Sequence, residues 1–348
     1  MCTDFLLTAA ENRSFVNGRS MEFGSELNSR PFVRRRGEVM RSRTPDKPRP
    51  PSGLQWTVKY GYVGMNILDL SLVVDGLNER GLSVGTLWLP GSEYQQVSDP
   101  GRALSVLLVN DWLLGTCASV ADVKAALPTV EVWAYKPMEE KLDPVHFTVH
   151  DASGNSIVIE YTADKLHIAG KLHIYDNPIA TTTNAPVFPW HLENVRNYVG
   201  LTPWDVDEAT VNGAVFTPTG HGSGLRGIPG DFTPPSRLIR ALFLMNSANQ
   251  AKDARAARNL ALHILNDIDI PKGVVRSKGA HGRTSDDYTQ WGVVKDLTHL
   301  LFDYRRYEDL DLRRIDLNKI DFGTIKSGPI SEPPIGMHEA TEIAAVVA

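Results

Sequence analysis

Two stretches constrain the fold of this chain more than any other. SLVVDGLNERGLSVGTLWLP (71–90) and VHFTVHDASGNSIVIEY (145–161) each place β-branched and aromatic residues on both sides of a short turn-forming piece. A connection that short joins antiparallel neighbours, whereas a parallel pair needs a long crossover. In the first stretch DGLNERG is the expected turn, and in the second DASG. A third hairpin opens the chain. Residues 3–9 (TDFLLTA) and 14–23 (SFVNGRSMEF) read as strands with turn composition between them. An ordered first hairpin matters because a chain end is otherwise frayed.

The remaining pattern alternates in blocks. Helices are expected at 102–114 and 119–127, the second with Ser119 as its cap and Asp122 in its first turn. A further sheet covers 130–175, with another turn at TADK (162–165), and a helix follows at 188–199. The Gly/Pro-rich stretch at 220–236 leads into an apolar helix, RLIRALFLMNSA, and then ARAARNLALHILNDI; strands return over 286–321. The order strands, helices, strands, helices, strands favours an α+β layered protein with antiparallel sheets over a doubly wound parallel one. GSGLRG has the glycines of a phosphate loop but not its lysine and serine or threonine. Residues 2–322 read as one domain and 323–348 as a C-terminal extension. The segment 31–55, rich in arginine and proline, reads as a long inserted surface loop with a possible strand at its start.

Bulk properties narrow the function. With 348 residues, 42% hydrophobic and 22% charged, the chain has the composition of a globular protein. A formal net charge of -5 and a pI near 6.1 supply no general attraction to nucleic acid or to an anionic membrane. No run reaches the ~18 apolar residues of a membrane span. The N-terminus shows no basic segment followed by an apolar one. The expected compartment is therefore cytoplasmic if the sequence is complete, and periplasmic or secreted if a signal was trimmed. Two cysteines, Cys2 and Cys117, exclude a disulfide framework and a sulfur-rich zinc site. The ten histidines make no convincing metal set. His146 and His150 would lie on one strand face about 13 Å apart, and His221 and His281 fall in glycine-rich loops. No GxSxG elbow is present. Neither a metal nor a cofactor is expected.

The chemistry-bearing candidates start with Cys2. A small residue at position 2 becomes residue 1 once the initiator methionine is removed. Its α-amine then has an unperturbed pKa of about 8 and lies within proton-exchange reach of the thiol, whose thiolate is the reactive nucleophile. Arg19 and Glu22 follow in NGRSMEFG. On a strand, 19 and 21 share one face and 22 lies on the other, so the two meet only through a bend or the backbone. Asn184, in TTTNAPVF, is either a turn residue or an oxyanion donor. Arg237 and Arg240 open the apolar helix, one expected toward the core edge and one toward solvent.

Taken in order, MCT, NGRSMEFG, DGLNERGLSVGTLWLPG, VHFTVHDASGNSIVIEY, YDNPIATTTNAPVFPWHLENVRNY, GLRGIPGDFTPPSRLIRALF and DYTQWGVVKDLTHLLFDYR resemble successive signatures of one family. It is the choloylglycine hydrolase and penicillin V acylase family of N-terminal nucleophile hydrolases. The resemblance implies a four-layer αββα fold with the nucleophile at the end of a central strand. It further implies Cys2 as nucleophile with its α-amine as base, Arg19 beside the thiol, and Glu22 as the acidic group that orients the amine, where the family usually has aspartate. Asn184 falls on the oxyanion asparagine and Arg237 on the pocket arginine. Trp88 stands where bile-salt hydrolases commonly carry asparagine and penicillin V acylases tyrosine. Trp88, Phe23 and the 31–55 loop are expected to line an apolar acyl pocket. The implied activity is hydrolysis of a linear N-acyl amide through a thioester, on a conjugated bile salt, penicillin V or an N-acyl homoserine lactone. The implied assembly is a homotetramer. The departures at Glu22 and Trp88 leave a second possibility, a non-hydrolytic relative that binds a small ligand.

Overall fold

The computed structural model of the chain describes residues 1–45, 52–134, 144–163, 170–278 and 284–333. The C-terminal end of the expected extension, His281, residues 46–51 of the basic segment and part of the turn at TADK lie outside the described residues.

Two large antiparallel sheets stack face to face. In spatial order the first is Thr181–Thr182 (β14), Cys2–Thr8 (β1), Phe15–Phe23 (β2), Thr284–Asp296 (β18), Leu301–Arg306 (β19) and Arg313–Asp316 (β20), with Val275–Lys278 (β17) paired to β18. The second is Lys171–Asp176 (β13), Ser156–Thr162 (β12), Val145–His150 (β11), Ser83–Trp88 (β8), Val73–Asn78 (β7), Tyr62–Asn66 (β6), Pro31–Arg34 (β3) and Gly328–Pro329 (β21). Three two-stranded pairs lie apart from them: Val39–Arg41 (β4) with Gln55–Thr57 (β5), Ala103–Ser105 (β9) with Glu131–Trp133 (β10), and Ala209–Val211 (β15) with Ala214–Phe216 (β16).

Helices close both outer faces. Pro234–Ser247 (α4) and Ala254–Ile268 (α5) cover the first sheet; on α5, Ala257, Ala261, Ile264 and Ile268 bury one stripe at helical spacing among Phe5, Leu7, Val16 and Val294. Val109–Thr116 (α1) and Val120–Ala126 (α2) cover the second sheet, packing Val109, Leu113, Leu114 and Val123 onto Val73, Val84 and Phe147. Ser119 caps α2 by accepting from the Asp122 amide at 3.2 Å. The short helix Phe188–Val195 (α3) lies beside α4. This is the αββα arrangement of two antiparallel sheets flanked by short helices.

Alternation along β1 divides its side chains between the layers. Cys2 and Leu6 enter the core between the sheets, while Phe5, Leu7 and Ala9 face α4 and α5. The neighbouring strand leaves room for this packing at Gly18, where a Cβ would stand 2.3 Å from the Phe5 ring.

Four expectations need correction. The helix placed at 102–114 starts only at Val109; Ala103–Ser105 is a strand, because its β-formers pair with Glu131–Trp133 before the chain turns. The DGLNERG turn is shorter than expected, since β7 runs through Asn78 and Gly81 closes the turn onto the Asn78 carbonyl at 3.0 Å. Asp75 is thus a buried strand residue. The 31–55 segment carries the strand expected at its start, β3, which joins the second sheet, but it is not loop thereafter throughout: β4 pairs with β5. Finally, Arg237 and Arg240 are both buried, Arg240 being held by the Pro229 and Asp231 carbonyls.

Candidate active site

Pairing of β1 with β2 sets Cys2 opposite Met21 and Asp4 opposite Arg19. With Met1 before it, the Cys2 nitrogen is a peptide N–H, which donates to Asn184 Oδ1 at 2.6 Å. The Cys2 sulfur is buried, 3.6 Å from Arg19 Nη2 and 3.6 Å from Met21 Sδ.

Arg19 and Glu22 occupy opposite faces of β2, as strand parity requires, and neither face is open to water. Arg19 points between the sheets. It donates to the Val74 carbonyl at 2.9 Å and to the Thr86 carbonyl, pairs with Asp75 at 3.2 Å, and lies 5.2 Å from the Trp291 ring. Burial works against its charge, but Asp75, the Cys2 sulfur and Asp4 outweigh that and hold the guanidinium above its ordinary value. Glu22 points toward α4. It accepts from Thr289 Oγ1 at 2.8 Å and lies 3.6 Å from Arg237. Burial raises its pKa, against the opposing pull of Arg237 and the chain-terminal ammonium. Its Oε2 has no hydrogen-bond partner among the described residues.

Arg237 stitches three chain segments together from the first turn of α4. It donates to the Cys2 carbonyl at 2.8 Å, to Thr3 Oγ1, to Asn184 Oδ1 at 2.8 Å and to the Phe232 carbonyl at 3.0 Å. These contacts orient the Asn184 amide. Two donors, Arg237 and the Cys2 N–H, face its oxygen, and its nitrogen donates to the Trp88 carbonyl at 2.8 Å. The segment carrying Asn184 is fixed from behind. His146 contacts the Thr183 carbonyl at 2.8 Å and His191 the Asn184 carbonyl at 2.9 Å.

Trp88 and Phe23 meet edge to face, with centroids 5.8 Å apart. Both line a cavity of about 250 Å³ that reaches Cys2; its other walls include Met21, Leu27, Ile67, Leu68, Leu70 and Leu87. No described residue of the 31–55 segment lines it, because β3 is taken up by the second sheet and β5 lies against α1. The geometry thus places Cys2, Arg19, Glu22, Asn184 and Arg237 around one chain end and sets Trp88 and Phe23 beside it.

Sequence reasoning missed a buried network behind Arg19. Lys295 Nζ donates to Asp75 Oδ1 at 2.5 Å, on the same oxygen that faces Arg19. Asp4 accepts from Asn17 at 3.2 Å and lies 2.5 Å from His150 Nε2. Burial pushes the Asp4 carboxyl up, but His150, Lys295 and Asn17 together bring it below its ordinary value. Two signals were available: an aspartate two residues from Cys2 on the same strand face, and a lysine inside the β-forming run WGVVKDL. Among the described residues no group of three His, Cys, Asp or Glu side chains is arranged to hold a metal ion. Among them, too, no helix is long and apolar enough to cross a membrane.

Comparison with known proteins places this architecture. The family model for linear amide C-N hydrolases, choloylglycine hydrolase family, matches residues 2–330. A bile salt hydrolase/transferase of Clostridium perfringens (strain 13 / Type A) is 33% identical over 267 residues, covering 74% of this chain and 77% of the relative. The crystal structure of a mutant conjugated bile acid hydrolase from Clostridium perfringens superposes with a TM-score of 0.82 at 28% identity, covering 98% of this chain and 100% of that one. A penicillin V acylase from Agrobacterium tumefaciens shares the fold, with a TM-score of 0.73 at 23% identity over 93% of this chain and 88% of that one. With a fold and a family match that span the same residues, the chain belongs to the choloylglycine hydrolase family of linear amide C-N hydrolases.

Proposed function

We propose that this chain is a cysteine amidase that hydrolyses an N-acyl amide through a thioester on Cys2. The observation that carries the reading is the surround of the Cys2 backbone and sulfur. Arg19 lies 3.6 Å from the sulfur, Asn184 and Arg237 grip the Cys2 nitrogen and carbonyl, and Cys2 itself lines an apolar cavity. Removal of Met1 turns the Cys2 nitrogen into an amine. That amine takes the thiol proton, directly or through water, and the sulfur attacks the amide carbonyl. The guanidinium of Arg19 stabilises negative charge on sulfur. Asn184 Oδ1 and Glu22, whose Oε2 is without a hydrogen-bond partner, orient the amine.

The tetrahedral oxyanion takes the second N–H of Asn184 Nδ2, an interaction worth roughly 3 kcal/mol for a well-placed donor. The amine then returns its proton to the leaving nitrogen, the C–N bond breaks, and water hydrolyses the thioester. Trp88 and Phe23 help form the wall for the acyl group. Conjugated bile salts, penicillin V and N-acyl homoserine lactones are the substrate classes to try. The reading includes a homotetramer, which would cover the exposed Trp204, Val211, Val215 and Phe216 around the β15–β16 hairpin; sedimentation velocity tests it.

Mass spectrometry with the three substrates tests the chemistry. The expected result is a chain lacking Met1 and turnover that depends on Cys2. Cys2→Ala should fold and lose activity by roughly 10⁴-fold or more. Cys117→Ala should leave the rate nearly unchanged, since burial pushes that thiol up to about 11 and it lies in the core under α1 and α2. Folded chain that keeps Met1 and turns over no amide would favour the ligand-binding alternative.

A further inference from the structure

The Phe23–Trp88 ring pair separates two recesses. One is the apolar cavity on the sulfur side, whose lining is apolar apart from Cys2 and Thr86. The other, of about 380 Å³, is walled by the same two rings together with Met1, Gly24, Ser25, Ser285 and Asp287. Met1 is the group attached to the Cys2 nitrogen, so this second recess opens on the nitrogen side of the nucleophile.

Amide hydrolysis gives those two sides different jobs. The acyl carbon bonds to sulfur, and its chain extends into the sulfur-side cavity. The leaving nitrogen must take its proton from the Cys2 amine, which requires hydrogen-bond proximity to that amine. The leaving amine therefore occupies the space that Met1 fills here.

One side chain sets the charge of the walls of that space. Among the described residues lining it, Asp287 is the only charged side chain, 23% exposed, and it stands 3.9 Å from the Met1 ammonium. That ion pair leaves with Met1, and the carboxylate then faces whatever amine replaces it. The remaining polar lining is neutral, from Ser25 and Ser285. A cation on the leaving amine would be attracted to Asp287, whereas a carboxylate or sulfonate there would meet like charge in a partly desolvated recess.

We infer that the nitrogen-side recess selects against anionic leaving amines, so that the substrates of this enzyme are N-acyl derivatives of neutral or cationic amines, such as an amino lactone or an amino alcohol, rather than of amino acids or amino sulfonates. The inference rests on the amidase reading above and narrows it on the amine side alone.

A matched pair of amides tests it. N-phenoxyacetylglycinamide and N-phenoxyacetylglycine share the acyl group and differ by one charge. Chain lacking Met1 should favour the glycinamide in kcat/KM by roughly five- to tenfold at low salt. The preference should shrink at high salt and fall toward unity in Asp287→Asn. Equal rates on the pair, a preference for the glycine conjugate, or an unchanged ratio in Asp287→Asn would each overturn the selectivity while leaving the amidase intact. Absence of turnover and of Cys2 acylation with both compounds and with N-phenoxyacetyl homoserine lactone would overturn the amidase reading, and the selectivity with it.

Discussion

The two faces of β2 both bury charge around Cys2, and they hold it in different ways. On the face between the sheets, one carboxylate oxygen of Asp75 serves two cations, Lys295 at 2.5 Å and Arg19 at 3.2 Å, with Asp4 and His150 paired nearby. On the face toward α4, Arg237 meets the Glu22 carboxylate only at 3.6 Å and directs its N–H groups to Cys2, Thr3, Asn184 and Phe232. The first arrangement is an ionic cluster whose members neutralise one another. The second is a single arginine tied to the main chain and to neutral side chains. An unpaired buried charge costs several kcal/mol, whereas a guanidinium with other acceptors tolerates the loss of one. The cluster should therefore be brittle and the clamp forgiving.

The sharpest way to break this comparison is Asp75→Asn, which strands Arg19 and Lys295 together. It should cost about 3–5 kcal/mol in urea unfolding, and adding Lys295→Met should restore part of that loss. A cost below about 1 kcal/mol would mean that the cluster is not held by its charges. Lys295→Met alone comes next, at about 1–3 kcal/mol. Asp75 keeps Arg19 in that variant, and the burial that lowers the Lys295 pKa no longer has a cation to penalise. On the other face Glu22→Gln should change stability by less than about 1 kcal/mol, since burial already disfavours the Glu22 charge, while slowing turnover. A stability loss equal to that of Asp75→Asn would erase the distinction between the faces.

The smallest effect lies in the pH dependence. Burial, with the nearby His146 adding to it, lowers the pKa of His191, the residue that holds the Asn184 carbonyl, below its ordinary 6.5. A depressed folded pKa means that the unfolded chain takes up the proton first. The contribution of His191 is thus present above about pH 6.5 and is lost as pH falls through the folded value. Asp4, on the inter-sheet face, is lowered from 3.8, so its contribution survives to more acid pH and is lost only as pH falls through its own folded value. Urea midpoints between pH 7 and 5 should decline less steeply in His191→Gln than in the parent chain, and the difference should be gone above pH 7.

Much of this site was legible from local pattern. Strand parity alone put Arg19 and Glu22 on opposite faces, and the structure places both in the interior because helices cover one face and the second sheet the other. Ser119 was legible as a cap because capping acts over three residues. The DGLNERG turn was misjudged because Gly and Asn also suit a crowded strand: a Cβ on Gly76 would stand 2.6 Å from Leu114. In the basic 31–55 segment the strand at its start was legible and pairs with β6, but the β4–β5 pair was missed because composition reports solubility and not pairing.

By itself the sequence determined the order of the main blocks of strands and helices, the antiparallel hairpins, the face on which each β2 side chain points, and the succession of segments that marks the family. These depend on neighbours within a few residues, where periodicity and turn chemistry act. The tertiary structure alone decided what each face meets. Lys295 reaches Asp75 across 220 positions of chain, Arg237 reaches Cys2 across 235, and Asp287 comes to stand beside Met1. No local preference encodes such meetings. They arise from the stacking of two sheets and the laying of α4 across one of them, which brings distant charges into a space where each must find a partner.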